Sequence, residues 1–253
     1  MKLPFYDRKN EISRLRIAFQ ANESNLVCLY GRRRYGKSRL LQRALEEHQH
    51  VYYVGDDREA SLQRRALAKE IGRLITGFDK VEYHSWEDLF ERWRTDAPSG
   101  AVLALDEFPY MAAASKELPS VLQKWIDKDS TKPLHIALCG SSQRMMHGLV
   151  LDASAPLFGR AREILKLAPL SPFYLSDAMG KVSAEKVIEA FAVWGGVPRY
   201  WELAKDYSDT SESIKNLILD PSGVLFREPE RLLLDQMRDT RQAASLLSLI
   251  GQG

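Results

Sequence analysis

The sequence predicts an α/β core built on a five-stranded parallel sheet, followed by a smaller helical region. Three observations carry that reading. Over the first 170 residues short apolar runs alternate with helix-like stretches, the rhythm of strands joined by crossover helices. The runs are nearly continuous in apolar residues, as strands covered on both faces require. After Pro169 the strand-like runs stop and only helical periodicity continues.

Leu26–Tyr30 reads as the first strand, ending at Gly31, with a helix from Lys37 to about His48. Val51–Val54 is the second strand. Ala60–Thr76 reads as a helix with Leu62, Leu67, Ile71 and Leu74 near one face. Ser85 caps the next helix, with Asp88 three residues on, and Trp86, Leu89, Phe90 and Trp93 form one apolar stripe. Ala101–Leu105 is the third strand, and Leu118, Val121, Leu122, Trp125 and Ile126 mark a further helix. Leu134–Cys139 is the fourth strand and Glu163–Leu167 the fifth. Helices are expected at Ser183–Val193, Arg199–Asp206, Ser211–Leu219 and Arg231–Met237. The expected division is therefore a core over 1–170 and a helical lid over 171–238. Residues 239–253, with the apolar stretch Ala243–Ile250, read as the start of a further domain.

The composition suits such a fold. Of 253 residues, 45% are hydrophobic and 28% charged, enough apolar material for a real core. A net charge of +2 says little about nucleic acid. The longest apolar runs are strand-sized, short of the roughly 18 residues that span a membrane. Met1–Pro4 lacks the apolar segment and cleavage site of a secretory leader. Two cysteines make neither a disulfide framework nor a zinc cage. His48, His50, His84, His135 and His147 have no zinc spacing, and most of them are expected at the surface or at helix ends. The expected setting is cytoplasmic, with no membrane partner.

Gly31-Arg32-Arg33-Arg34-Tyr35-Gly36-Lys37-Ser38 matches G-x-x-x-x-G-K-[ST] at every fixed position. Gly31 permits the tight turn out of the strand, and Gly36 lets backbone N–H groups approach phosphates at a helix start. Lys37 would reach the β and γ phosphates of a nucleotide, and the Ser38 hydroxyl would ligate Mg²⁺. A chance glycine turn is the bland alternative; the preceding strand and following helix argue against it. Gly31, Arg34, Tyr35, Gly36, Lys37, Ser38 and Arg39 form the expected nucleotide-binding set. Arg32, Arg33 and Arg34 admit three readings: a solvated charge run, a nucleic-acid patch, or cations beside the nucleotide.

Ala101–Leu105 runs into Asp106-Glu107. In a parallel sheet the carboxyl end of this strand is expected beside the phosphate loop. Asp106 would then hold Mg²⁺ through water, and Glu107 would orient or deprotonate an attacking water. A solvated acidic turn is the plain alternative.

Five segments carry a resemblance: Phe5-Tyr6-Asp7-Arg8-Lys9-Asn10-Glu11, the Leu29–Ser38 loop region, Cys139-Gly140-Ser141-Ser142, Pro156-Leu157-Phe158-Gly159-Arg160, and Trp194-Gly195-Gly196-Val197-Pro198. Together they resemble, over nearly the whole chain, the archaeal-type ATPases of the AAA+ superfamily, in the STAND group of P-loop signal-transduction ATPases. The resemblance implies ATP or ADP with Mg²⁺ as ligands, and adenine bordered by Phe5, Tyr6 and Arg8. Lys9 departs from the glutamate usual there. It implies that Ser141 senses the γ-phosphate or the attacking water, although Ser141 or Ser142 also suits a helix cap. Arg160 is implied as a sensor of phosphate charge, with a structural salt bridge as the other reading. Pro198 is implied to lie near the base in the lid; a glycine stop followed by a proline start explains the same residues without a ligand. The resemblance also implies neighbouring first and fourth strands, with Cys28 and Cys139 close, buried and reduced. Beyond Asp239 it implies a winged-helix region through which DNA would be a partner, besides an unknown protein partner.

The leading reading is an ATP-driven conformational switch. A P-loop kinase acting on a small molecule would need a phosphoryl acceptor and more basic residues over the phosphates. A DNA-binding module with a structural nucleotide site is motivated by the three loop arginines.

Overall fold

The five apolar runs form β1 (Asn25–Tyr30), β2 (His50–Val54), β3 (Val102–Asp106), β4 (His135–Gly140) and β5 (Ala161–Lys166) in the computed structural model. It describes residues 4–130, 132–180, 182–236 and 240–252. The strands make one parallel sheet in the order β2-β3-β4-β1-β5. β3 and β4 are buried at every residue, including the polar Asp106 that ends β3 and the His135 that opens β4. In the edge strand β2 buried positions alternate with exposed or half-buried ones, and β5 alternates half-buried and exposed ones up to the buried Leu165. β4 lies between β1 and β3, so the carboxyl end of β3 stands one strand away from the phosphate loop, not directly beside it.

Helices α1 (Lys9–Phe19), α2 (Lys37–Leu45), α3 (Ala60–Ile71), α4 (Trp86–Asp96), α5 (Phe108–Ala114), α6 (Leu118–Asp127) and α7 (Gln143–Met146) connect the strands. The Ser85 capping box on α4 is complete, and Trp86, Leu89, Phe90 and Trp93 are all buried. α3 stops at Ile71, short of the expected Thr76. Leu67 and Ile71 are buried but Leu62 is 47% exposed. The five-residue step from Leu62 to Leu67 turns about 140° around a helix, off the common face. The short helices α5 and α7 had no periodic signal.

Cys28 pairs with Leu138 and Leu29 with Cys139. Successive strand residues point to opposite faces, so the two buried, free cysteines are sequestered on opposite sides of the sheet. His135 is an exception to the surface or helix-end placement expected of most of the histidines. It opens β4 between β3 and β1 and is wholly buried.

The chain divides into two compact units. One comprises Arg8–Gly31 with Lys37–Lys166; the other comprises residues 4–7, Arg32–Gly36 and the chain from Leu167 onward. The second unit contains α8 (Pro172–Met179), α9 (Ala184–Trp194), α10 (Pro198–Ala204), α11 (Thr210–Ile214), α12 (Glu228–Gln236) and α13 (Thr240–Gln252). Leu170, Leu175, Trp194, Trp201, Leu217 and Leu225 are the centre of its own core. Gly195 ends α9 with φ +53, Pro198 opens α10, and Trp201 Nε1 donates to the Gly195 carbonyl at 2.6 Å. Met237, Asp239 and Gly253, which bound expected elements, lie outside the described residues. Among the described residues, no helix is long and apolar enough to cross a membrane.

Candidate functional site

β1 brings Tyr30 and Gly31 to the carboxyl edge of the sheet, and α2 begins after the loop with Lys37, Ser38 and Arg39. Lys37 is only 4% exposed and is engaged by neighbouring groups, as a buried ammonium must be. Ser38 is exposed and Arg39 half-buried. Gly36 has φ +87 with open space where a Cβ would stand, so the backbone angle is what calls for glycine.

Asp106, at the end of β3, is 2% exposed. Its Oδ1 accepts the Glu107 N–H at 2.9 Å, and its Oδ2 accepts the Tyr52 hydroxyl. Burial, then the Asp106 charge, raises the Tyr52 pKa, so the phenol stays protonated and donates. Burial first, then the Asp106 charge, pushes the pKa of the buried Cys139 thiol well up.

Glu107 follows with φ +50, an uncommon left-handed angle for a residue with a side chain. Its Oε1 accepts the Ser141 hydroxyl at 2.6 Å and its Oε2 the Ser141 N–H at 3.2 Å. Gly140 makes this approach possible. A Cβ there would stand 2.7 Å from Met146 Sδ and 2.8 Å from Pro109 Cδ. Ser142, not Ser141, caps α7, accepting the Met145 N–H at 3.3 Å.

In the helical unit, the loop arginines are not a uniformly solvated run. Arg33 is exposed and Arg32 half-buried. Arg34 Nη2 lies 3.0 Å from Glu228 Oε2, and its guanidinium sits 5.6 Å from the Tyr200 ring centre. Tyr35 and Phe5 are half-buried. Tyr6 packs against the helical core, with its ring 6.4 Å from Tyr174. In the sheet unit Arg8 is 4% exposed at the head of α1 and pairs with Glu11 at 3.1 Å. Pro198 is the first residue of α10.

Arg160 is not brought to the acidic pair. β1 and β5 pair from Leu26↔Ala161 to Tyr30↔Lys166, with a bulge between Leu26 and Val27, so Arg160 stands at the amino edge of the sheet. Gly31 leaves the opposite edge, roughly 17 Å of strand away. Arg160 donates from Nε and Nη2 to Asp127, each at 2.7 Å at closest, and from Nη1 to the Pro156 carbonyl at 3.1 Å. Within one chain its guanidinium is committed to that corner, the salt-bridge arrangement.

Tyr52, Glu228 and Tyr200 were missed. A tyrosine within Val51-Tyr52-Tyr53-Val54 reads as core, and nothing near Glu228 in the sequence links it to the loop.

A parallel sheet whose first strand runs through a glycine loop into a helix, with an acidic pair ending a second strand, defines the P-loop nucleotide-hydrolase class. Within that class the chain belongs to the family described as an ATPase domain predominantly from Archaea, which it matches over residues 5–203. An uncharacterized protein of Methanocaldococcus jannaschii is 30% identical over 211 residues, covering 81% of this chain. The chain spans 46% of that relative's length. The Walker-type ATPase of Pyrococcus abyssi has the same fold, with a TM-score of 0.69 at 20% identity over 90% of this chain and 75% of its own. A signal-transduction ATPase with numerous domains and a tetratricopeptide repeat sensor, from Pyrococcus horikoshii, has a TM-score of 0.55 at 17% identity. That match covers 92% of this chain and 33% of the other.

Proposed function

We propose that the chain binds Mg·ATP on the Gly31–Ser38 loop, hydrolyses it, and uses the cycle to drive a conformational switch. The observation that carries this reading is the hydrogen-bonded set Tyr52–Asp106–Glu107–Ser141 in the sheet whose first strand runs into the glycine loop. The donor set suits Mg²⁺, since hydroxyl and carboxylate oxygens are hard ligands and this ion takes few protein ligands beside substrate phosphates. Bound there, Mg²⁺ would neutralise charge developing on the phosphates.

Lys37 supplies the fixed cation for the β and γ phosphates. Ser38 and Asp106 would hold the metal, with the Tyr52 hydroxyl keeping the Asp106 carboxylate in place. Glu107 orients the attacking water and takes its proton, and Ser141 sets the carboxylate's position. Phe5, Tyr6, Arg8 and Pro198 are the proposed surroundings of the adenine. Action of Arg160 on phosphate would require a subunit contact, since within the chain it is paired with Asp127. The relative that joins such a domain to a repeat sensor supports a switch whose nucleotide state is read by a protein partner. A winged-helix role for the region from residue 239, with DNA as its partner, belongs to the same proposal.

The test is a single-turnover assay with γ-labelled ATP, Mg²⁺ and excess protein, which detects even slow chemistry. Inorganic phosphate is the expected labelled product. Label on another acceptor, or ATP bound and left intact, contradicts the reading.

A further inference from the structure

Arg34 is the fourth residue of the phosphate loop, and its φ of +65 lies in the left-handed region, where a residue with a Cβ is disfavoured. Left-handed residues set among right-handed ones turn successive backbone N–H groups to one side, forming a nest that fits an anion. At Gly36, with φ +87, the loop meets this demand with glycine. At Arg34 it does not, so that backbone angle has to be held by contacts from elsewhere.

The contacts are present within the helical unit. Glu228, at the start of α12, is 7% exposed, and its Oε2 lies 3.0 Å from Arg34 Nη2. Its Oε1 accepts the Tyr200 hydroxyl at 2.9 Å. Tyr200, on α10, places its ring 5.6 Å from the Arg34 guanidinium, within cation–π range. Burial and the hydrogen bond to Glu228 raise the Tyr200 pKa, which keeps the phenol a donor. The three groups close a ring of contacts: arginine on carboxylate, carboxylate on phenol, phenol face under arginine. A carboxylate this buried is retained at a desolvation cost that the pair must offset.

We infer that Glu228 and Tyr200 are positioning residues for the phosphate loop, clamping Arg34 in the left-handed conformation on which the loop's anion nest depends. The inference rests on the nucleotide-binding reading above and names residues of α10 and α12 through which the helical unit sets nucleotide affinity. The arginine matters here as a handle on the backbone.

The test is equilibrium binding of a fluorescent ATP analogue, with Mg²⁺, to the purified chain and four variants. Arg34→Ala and Glu228→Gln should each raise Kd about five- to tenfold, the scale of a left-handed backbone penalty. Arg34→Gly, which takes the same angle without help, should recover most of the affinity that Arg34→Ala loses. Adding Glu228→Gln to Arg34→Gly should then change nothing further. A well-folded Arg34→Gly variant as weak as Arg34→Ala would mean that the guanidinium itself serves the phosphates, and the clamp is overturned. So would an unchanged Kd in Glu228→Gln. Failure of the unmodified chain to bind removes the nucleotide reading itself, and the clamp with it, a result distinct from a chain that binds but ignores Glu228→Gln.

Discussion

Ser141 holds both oxygens of the Glu107 carboxylate, its hydroxyl on Oε1 at 2.6 Å and its N–H on Oε2 at 3.2 Å. The proposed base and the residue after β4 thus form one unit, although they lie on different strands' ends. Glu107 is fixed by its own left-handed backbone and by Ser141, which limits where an attacking water could be met.

Glu107→Gln should retain Mg·ATP with little change in affinity and lose turnover by about 100-fold or more, the usual weight of a positioned base. Ser141→Ala leaves the carboxylate charged and keeps the backbone donor, so turnover should fall only about tenfold. Single-turnover rates and binding isotherms measured on the same preparations separate the two. Unchanged hydrolysis in Glu107→Gln would remove Glu107 from the mechanism.

Tyr52→Phe deletes the hydroxyl that donates to Asp106 without changing either proposed ligand. Loss of such an outer contact typically costs about tenfold or more in metal affinity. The Mg²⁺ concentration at half-maximal nucleotide binding should rise by that factor. A titration midpoint equal to that of the unmodified chain would show that Tyr52 only fills space.

His135 gives a pH signature. Its pKa is lowered to about 4, by burial first and then by the charges of His48 and Arg162. Between the ordinary histidine value near 6.5 and about 4, the unfolded chain binds a proton that the folded chain refuses. Stability is therefore full above pH 6.5 and falls on acidification, by about 1.4 kcal/mol per pH unit for one such group. Denaturant unfolding of His135→Leu across this window should show a shallower slope than the unmodified chain. Equal slopes would contradict the assignment.

Arg160→Ala breaks a half-exposed pair with Asp127, whose side chains are 28% and 46% exposed. The expected loss of stability is within about 1 kcal/mol, and nucleotide affinity of the isolated chain should not move. A folded variant that binds ATP tenfold more weakly would place Arg160 at the phosphates after all.

The strands were legible because Ala101–Leu105 is an unbroken apolar run and Leu134–Cys139 is interrupted by His135 alone, and α4 because its cap and stripe are local in sequence. The phosphate loop was legible for the same reason, its residues being contiguous. The two readings of Arg160 stayed open in the sequence because the edge of the sheet on which it stands is decided by the register of β5 against β1, which no local pattern records. The burial of His135 follows from the central place of β4. The contacts of Tyr52 and Glu228 join residues far apart in the chain, so only the fold reveals them.

The central claim is that the Gly31–Ser38 loop binds Mg·ATP through Lys37. Thermal unfolding with and without Mg·ATP tests it most directly, because a ligand at about 100 times its Kd adds about 2.7 kcal/mol of stability. The account predicts a clear upward shift of Tm for the unmodified chain and none for Lys37→Ala. An equal shift in both, or no shift in either, would contradict it.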